Sequence, residues 1–144
     1  MISHSILSVC QAKKETGLGH LSRLISLIQE LDSIQDVTNK LIVYGDRSIK
    51  KRLTNINYEI NMHEESFYEN IIKEVSENRT SLVVFDLCPR ELPSQLKKTI
   101  EWLFENNIKV IAIDSLYEYH KYLEFIWTPS FFNNFSDDNE LLKK

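Results

Sequence analysis

Two glycines, a histidine and an arginine crowd the stretch TGLGHLSR, residues 16–23. The chain has only three glycines in 144 residues. Gly17 and Gly19 therefore mark a place where the backbone must turn tightly or let a ligand come close, since glycine reaches positive φ at little cost. His20 follows at once, and its imidazole can serve as a base near neutral pH. Arg23 lies about one helical turn further on and can hold a phosphate or carboxylate. An apolar strand ends just before this loop and a helix begins within it. The loop 16–20, from Thr16 through Leu18 to His20, thus leads into a helix start whose free N–H groups and dipole favour an anion.

The same residues admit a plainer reading, in which the glycines shape a turn and His20 caps the helix. Gly-x-Gly also opens the dinucleotide-binding fingerprint, with Asp46 as the ribose-binding acid. Ser22, however, stands where a third glycine or alanine belongs. The loop is also longer than that tight turn, and His20 would crowd a pyrophosphate, so the pattern disfavours NAD(P).

Alternating elements must position this loop. Short apolar runs predict strands at 5–11, 40–45, 58–62, 81–87, 109–114 and 124–129. Leu21, Leu24, Ile25, Ile28 and Leu31 recur at helical spacing and predict a helix over 20–31. Further helices are expected at 48–55, 66–78 and 92–107. Ser66 with Glu69 three residues on reads as a capping box for the third of the four. Strands alternating with helices imply an α/β fold: one Rossmann-like domain of about six mostly parallel strands, flanked by helices, in the order 3-2-1-4-5-6. Ligands of such sheets bind beyond the carboxyl ends of the strands. Segments 12–20, 86–91, 114–120 and 128–133 should meet there. Asp86, at the end of the fourth strand, becomes a candidate functional carboxylate, as does Asp114 at the end of the fifth. The domain is expected to span 1–136, with 137–144 a polar tail.

Composition narrows the classes. The chain is 42% hydrophobic, enough for one real core, and its net charge of −4 lacks the basic footprint of a nucleic-acid binder. No apolar run approaches the ~18 residues of a membrane span, and the amino terminus lacks the features of a signal peptide. Cys10 and Cys88 fit no disulfide framework and read as buried, reduced thiols suited to a cytoplasmic protein. No His/Cys/Asp/Glu cluster has ligand spacing, so neither metal nor cofactor is expected. His120, in LYEYHKYLEF, reads as a solvated loop residue, and His4 and His63 as surface residues.

The stretch TGLGHLSRLISLIQEL resembles the Gly-x-Gly-His-x-x-Arg signature of nucleotide-sugar hydrolases of the pseudaminic acid pathway and their spore-coat polysaccharide relatives. SLVVFDL and KVIAIDSLYEY resemble that family's later strands. The resemblance covers residues 5–130 and implies the N-terminal half of a GT-B fold, the architecture shared with many glycosyltransferases. It implies that His20 activates water to displace UDP from an acetamido-deoxy sugar, a step of surface-glycan biosynthesis. It also implies that Asp86 orients His20 or binds the sugar, that Gly17 and Gly19 shape the substrate loop, and that Arg23 follows the motif arginine as a substrate-binding residue. Asp114 matches the strand-5 position, and Ser115 stands where a second aspartate is often seen. Such enzymes carry a second nucleotide-binding domain, which the resemblance does not reach. The expectation is therefore a hydrolase domain or subunit that works with another domain or chain. The alternatives are the acceptor-binding half of a glycosyltransferase and a non-catalytic assembly module.

Eight of the fifteen aromatic residues fall between Tyr117 and Phe135. Those past the last strand, Phe131, Phe132 and Phe135, are candidates for contact with a second domain or subunit. Packing onto the chain's own sheet edge is the other reading.

Overall fold

A computed structural model describes residues 3–13 and 18–129. Six parallel strands form one sheet: β1 (His4–Ala12), β2 (Val37–Gly45), β3 (Tyr58–Asn61), β4 (Leu82–Asp86), β5 (Lys109–Ile113) and β6 (Phe125–Trp127). Their order across the sheet is β3-β2-β1-β4-β5-β6, the arrangement the alternation of elements predicts. Three α-helices accompany them, α1 (Gly19–Asp32), α2 (Phe67–Asn78) and α3 (Leu96–Glu105), with 3-10 helices at Arg47–Arg52 and Tyr117–Tyr122.

The strands are apolar on both faces because both faces are covered. Ile6, Cys10 and Ala12 of β1 pack with Leu41, Val43 and Val84 against Leu21, Leu24 and Ile28 of α1. The opposite side chains, Leu7, Val9, Ile42, Tyr44, Val83 and Phe85, meet Phe67 and Ile71 of α2 and Leu96, Ile100 and Leu103 of α3. Tyr44, Phe67 and Phe85 form a row of aromatic contacts, with ring centroids 5.2 and 6.1 Å apart.

Several boundaries differ from the sequence expectation, each for a local reason. β2 begins at Val37, because its polar start Thr38–Asn39 pairs with the start of β1. The helix expected over 92–107 is α3, Leu96–Glu105. Pro93 sits in the preceding turn, where its carbonyl accepts from Leu96 N–H at 3.1 Å. The helix expected over 48–55 is the 3-10 helix, begun by the Asp46 carboxylate accepting from Ser48 N–H at 2.7 Å. Ser66 is the N-cap of α2 but makes no capping bond, its φ and ψ of −102° and 24° being outside the extended region a cap uses. Gln95 serves instead: its side-chain oxygen accepts from Tyr68 N–H at 2.9 Å, so the start of α3 caps the start of α2. Cys10 is buried as expected, whereas Cys88 is only half-buried. No helix among the described residues is long and apolar enough to cross a membrane. The expected 136/137 boundary, Thr16, Gly17, Phe131, Phe132 and Phe135 lie outside the described residues.

Candidate active site

The order of the strands decides what meets at their carboxyl ends. β1 lies between β2 and β4, with Ala12 opposite Gly45 and Cys10 opposite Asp86. α1 follows β1 back across the sheet, so its first turn stands over the end of β4. Two residues 66 positions apart thereby come into contact: His20 Nδ1 is 2.5 Å from Asp86 Oδ1.

Asp86 has no exposed surface, and its carboxylate is held from two sides. Arg23 Nε donates to Oδ2 at 2.7 Å and Arg23 Nη2 to Oδ1 at 2.6 Å, a bidentate fork. Arg23 Nη1 turns the other way and donates to Asp114 Oδ2 at 2.6 Å. Four side chains from α1, β4 and the end of β5 thus form one network. The hydrogen bond to Asp86 is the main cause that raises the pKa of Arg23 further, against the opposing effect of its burial. The guanidinium therefore stays charged at any pH the fold meets.

A carboxylate that already takes two N–H bonds from Arg23 accepts, and does not donate, towards the imidazole. Asp86 Oδ1 therefore selects the tautomer with the proton on His20 Nδ1, which in a neutral ring leaves the lone pair at Nε2. Arg23 Nη2 is 3.5 Å from Nδ1. In this tautomer both nitrogens are donors, and both are aimed at Oδ1. The His20 side chain keeps 19% of its exposure while Asp86 keeps none, so the imidazole links a buried carboxylate to the surface.

His20 is the second residue of α1. Leu18 is the N-cap, no side chain among the described residues caps the helix, and its first turn carries no acidic residue. The partial positive charge of this end is thus uncompensated by its own side chains. A Cβ built on Gly19 would meet nothing within 4 Å, so among the described residues nothing fills the space beside this glycine. This geometry is ready for an anion next to a base.

The chain matches no family model, no curated protein and no solved structure.

The other sequence-predicted residues divide. Asp114 joins the network, and its backbone N–H donates to Trp127 carbonyl oxygen at 2.9 Å, which ties the end of β5 to β6. Asp114 and Leu116 both have left-handed backbone, φ 50° and 64°. Strain of this kind, of order 1–3 kcal/mol per residue, is tolerated where the surroundings hold it, often at functional sites. Ser115 is buried, and its hydroxyl donates to Ile113 carbonyl oxygen at 3.1 Å; it braces the turn and does not join the network. His120 is exposed, its Nδ1 3.1 Å from Tyr117 carbonyl oxygen. Among the described residues no three His, Cys, Asp or Glu side chains gather as a metal site.

One residue that the motif reading passes over is Gln11. It is fully buried, and its amide accepts from Cys88 N–H at 2.8 Å while donating to Glu91 carbonyl oxygen at 2.6 Å and Glu64 Oε1 at 3.0 Å. It fixes the loop after β4, immediately beyond Asp86. The signal for it is a polar amide near the end of an otherwise apolar strand.

Proposed function

We propose that this domain cleaves a nucleotide-linked sugar with water, His20 acting as the base. The observation that carries the reading is the short His20–Asp86 contact, with Asp86 itself buried and clamped by Arg23. In that arrangement Nε2 takes a proton from water, and the resulting imidazolium is stabilised by the Asp86 carboxylate. The water oxygen bonds to the anomeric carbon as the bond from that carbon to the diphosphate oxygen breaks. The leaving diphosphate takes the electron pair. The open amino end of α1 supplies N–H groups and positive dipole for its charge.

Of the two partners its spacing suggests, phosphate or carboxylate, Arg23 holds carboxylates, those of Asp86 and Asp114. Two of its terminal N–H groups and Nε–H are committed to Asp86 and Asp114, leaving one N–H on each terminal nitrogen. With His20 neutral, the four side chains carry a net charge of −1, which does not attract a diphosphate. Arg23 is a positioning residue here, and the anion belongs at the helix start.

The resemblance to nucleotide-sugar hydrolases makes a UDP-linked acetamido-deoxy sugar the first substrate to try. The test is UDP release from a UDP-linked diacetamido-trideoxy sugar, with His20→Ala alongside. Release by the native chain that the substitution abolishes supports the reading. Release that the substitution leaves intact removes it. Release that needs an added acceptor and a nucleotide-binding partner would reassign the same base to an acceptor hydroxyl, making the chain half of a glycosyltransferase.

A further inference from the structure

β1 has a different neighbour on each side, so the start of α1 has two flanks of different chemistry. On the β4 side stand His20, Asp86 and Arg23. On the β2 side lies a cleft of about 540 Å³, a volume in the range of small-ligand sites. Leu18, the N-cap of α1, lines it together with Asp46, Ser48, Ile49 and Arg52, which follow β2. Leu18 and His20, two positions apart, therefore serve opposite flanks of one helix start.

The cleft has an anionic and a cationic end. Asp46 precedes the 3-10 helix Arg47–Arg52 and Arg52 closes it, which sets the two roughly 12 Å apart along its axis at ~2 Å per residue. Asp46 Oδ1 accepts from Ser48 N–H at 2.7 Å. That bond lowers the Asp46 pKa, holds the carboxylate in place and leaves lone pairs for a further donor. No carboxylate among the described residues pairs with Arg52. Residues 46–52, DRSIKKR, hold four basic residues and one acidic in a chain whose net charge is −4, so positive potential is concentrated here.

We propose that this cleft holds the nucleotide end of the sugar nucleotide. Arg52 meets the diphosphate, Asp46 accepts from the ribose hydroxyls, and the nucleobase lies against Leu18 and Ile49. The inference rests on the reading of His20 as the base, and adds where the leaving group is held. A carboxylate beyond β2 is the ribose partner in dinucleotide-binding sheets, and a single nucleotide needs no room for a second nucleoside. The diphosphate crosses the start of α1 from the β2 side to the β4 side, two strand spacings or roughly 10 Å, and brings the anomeric carbon towards Nε2. The second domain that the resemblance implies is then not needed to hold the nucleotide.

Calorimetric titration of the full chain with UDP, uridine and inorganic diphosphate tests this. UDP is expected to bind more tightly than uridine, by a margin that shrinks with added salt. Arg52→Gln should raise Kd for UDP and for inorganic diphosphate by about tenfold, the loss of a charge-assisted bond. Asp46→Asn should weaken UDP several-fold and leave inorganic diphosphate as tight or tighter, since a repelling charge is gone. Lys97→Gln on α3 makes the same change in net charge away from the cleft and should alter neither. Three results overturn the proposal: UDP that binds no better than uridine, an Arg52→Gln chain no weaker than Lys97→Gln, or an Asp46→Asn chain weakened equally for both ligands. Asp46 and Arg52 are exposed, so their substitution leaves the core intact, and the comparison of UDP with uridine needs no variant. The titration involves no turnover. UDP release without UDP binding in the cleft removes this inference alone, and binding without release removes the hydrolase reading alone.

Discussion

At the scale of single residues, the site turns on what Asp86 is bonded to. Its carboxylate has no exposed surface and satisfies both oxygens with Arg23 and His20. Two substitutions should therefore separate catalysis from stability. Asp86→Asn keeps the shape and removes the charge, and its amide can donate to Nδ1, moving the imidazole proton to Nε2. The base is then lost, and activity should fall by about 10²–10⁴, the contribution of a positioned base, with a modest stability change. Arg23→Met instead strands a buried carboxylate with the imidazole as its only side-chain partner among the described residues. Breaking a buried pair in this way costs about 3–5 kcal/mol. Urea denaturation of the two variants, beside their rates, checks the order. If Asp86→Asn is the more destabilised and Arg23→Met the less, the carboxylate is not held as described. That the segments holding His20 and Asp86 meet was legible before the structure, because the loop after β1 and the end of β4 lie side by side if those strands are neighbours; the contact itself was one of two roles that the resemblance implied for Asp86. The engagement of Arg23 by two carboxylates was not legible. Spacing places an arginine on a helix face, whereas its partners depend on the turn after β5, where Asp114 takes a left-handed backbone that no sequence pattern announces.

At the scale of elements, the glycines at the ends of β2 and the start of α1 do opposite things. Gly45 ends β2 opposite Ala12, and a Cβ there would lie 2.3 Å from the Ala12 carbonyl oxygen. Gly45→Ala must push β1 and β2 apart beneath the site and should cost about 1–3 kcal/mol, the usual range for overpacking. Gly19 begins α1 with nothing among the described residues near its missing side chain. Gly19→Ala should stabilise the fold by about 0.4–1 kcal/mol through the unfolded chain. If a ligand approaches the backbone of this turn, the added methyl should at the same time raise KM. A Gly19→Ala protein that is more stable and unchanged in KM would show that nothing approaches there. The sequence made most elements legible, since apolar runs four to eight residues long between polar turns leave little choice in a parallel sheet. It failed where a neighbour supplies the stability. The polar residues Thr38 and Asn39 extend β2 because β1 offers a ladder. The 3-10 helix Tyr117–Tyr122 has no periodic signal of its own, being held under β6 and against α3 through Tyr122 and Phe104, whose rings meet edge to face with centroids 5.3 Å apart.

At the scale of the whole molecule, burial of two acidic side chains on opposite faces of the sheet makes stability depend on pH. Cys10 lies under α1 with no exposed surface. Burial, with the nearby Asp86 charge adding to it, pushes its thiol well above the ordinary 9.0. Tyr44 lies in the core under α2, and burial pushes its phenol from 10.0 to about 12, partly opposed by the hydrogen bond from Asn70. Both groups are neutral when protonated, and both folded values are raised. Their contribution is complete below the unfolded values and falls as pH rises through the interval between unfolded and folded values. The unfolded chain there releases a proton that the folded chain retains, so each group lowers stability by about 1.4 kcal/mol per pH unit across its interval. For Cys10 the fall begins near 9.0, and for Tyr44 it runs from 10.0 to about 12. Urea midpoints taken from about pH 8 to about pH 11 should therefore decline in two stages, the second steeper than the first. Cys10→Ala should lower stability at the start of the series yet flatten the first stage, and Tyr44→Phe should flatten only the second. A decline that survives both substitutions would place its origin in other groups. A flat series would mean that water reaches these side chains in the folded protein, and the two layers over the sheet would be looser than their packing describes.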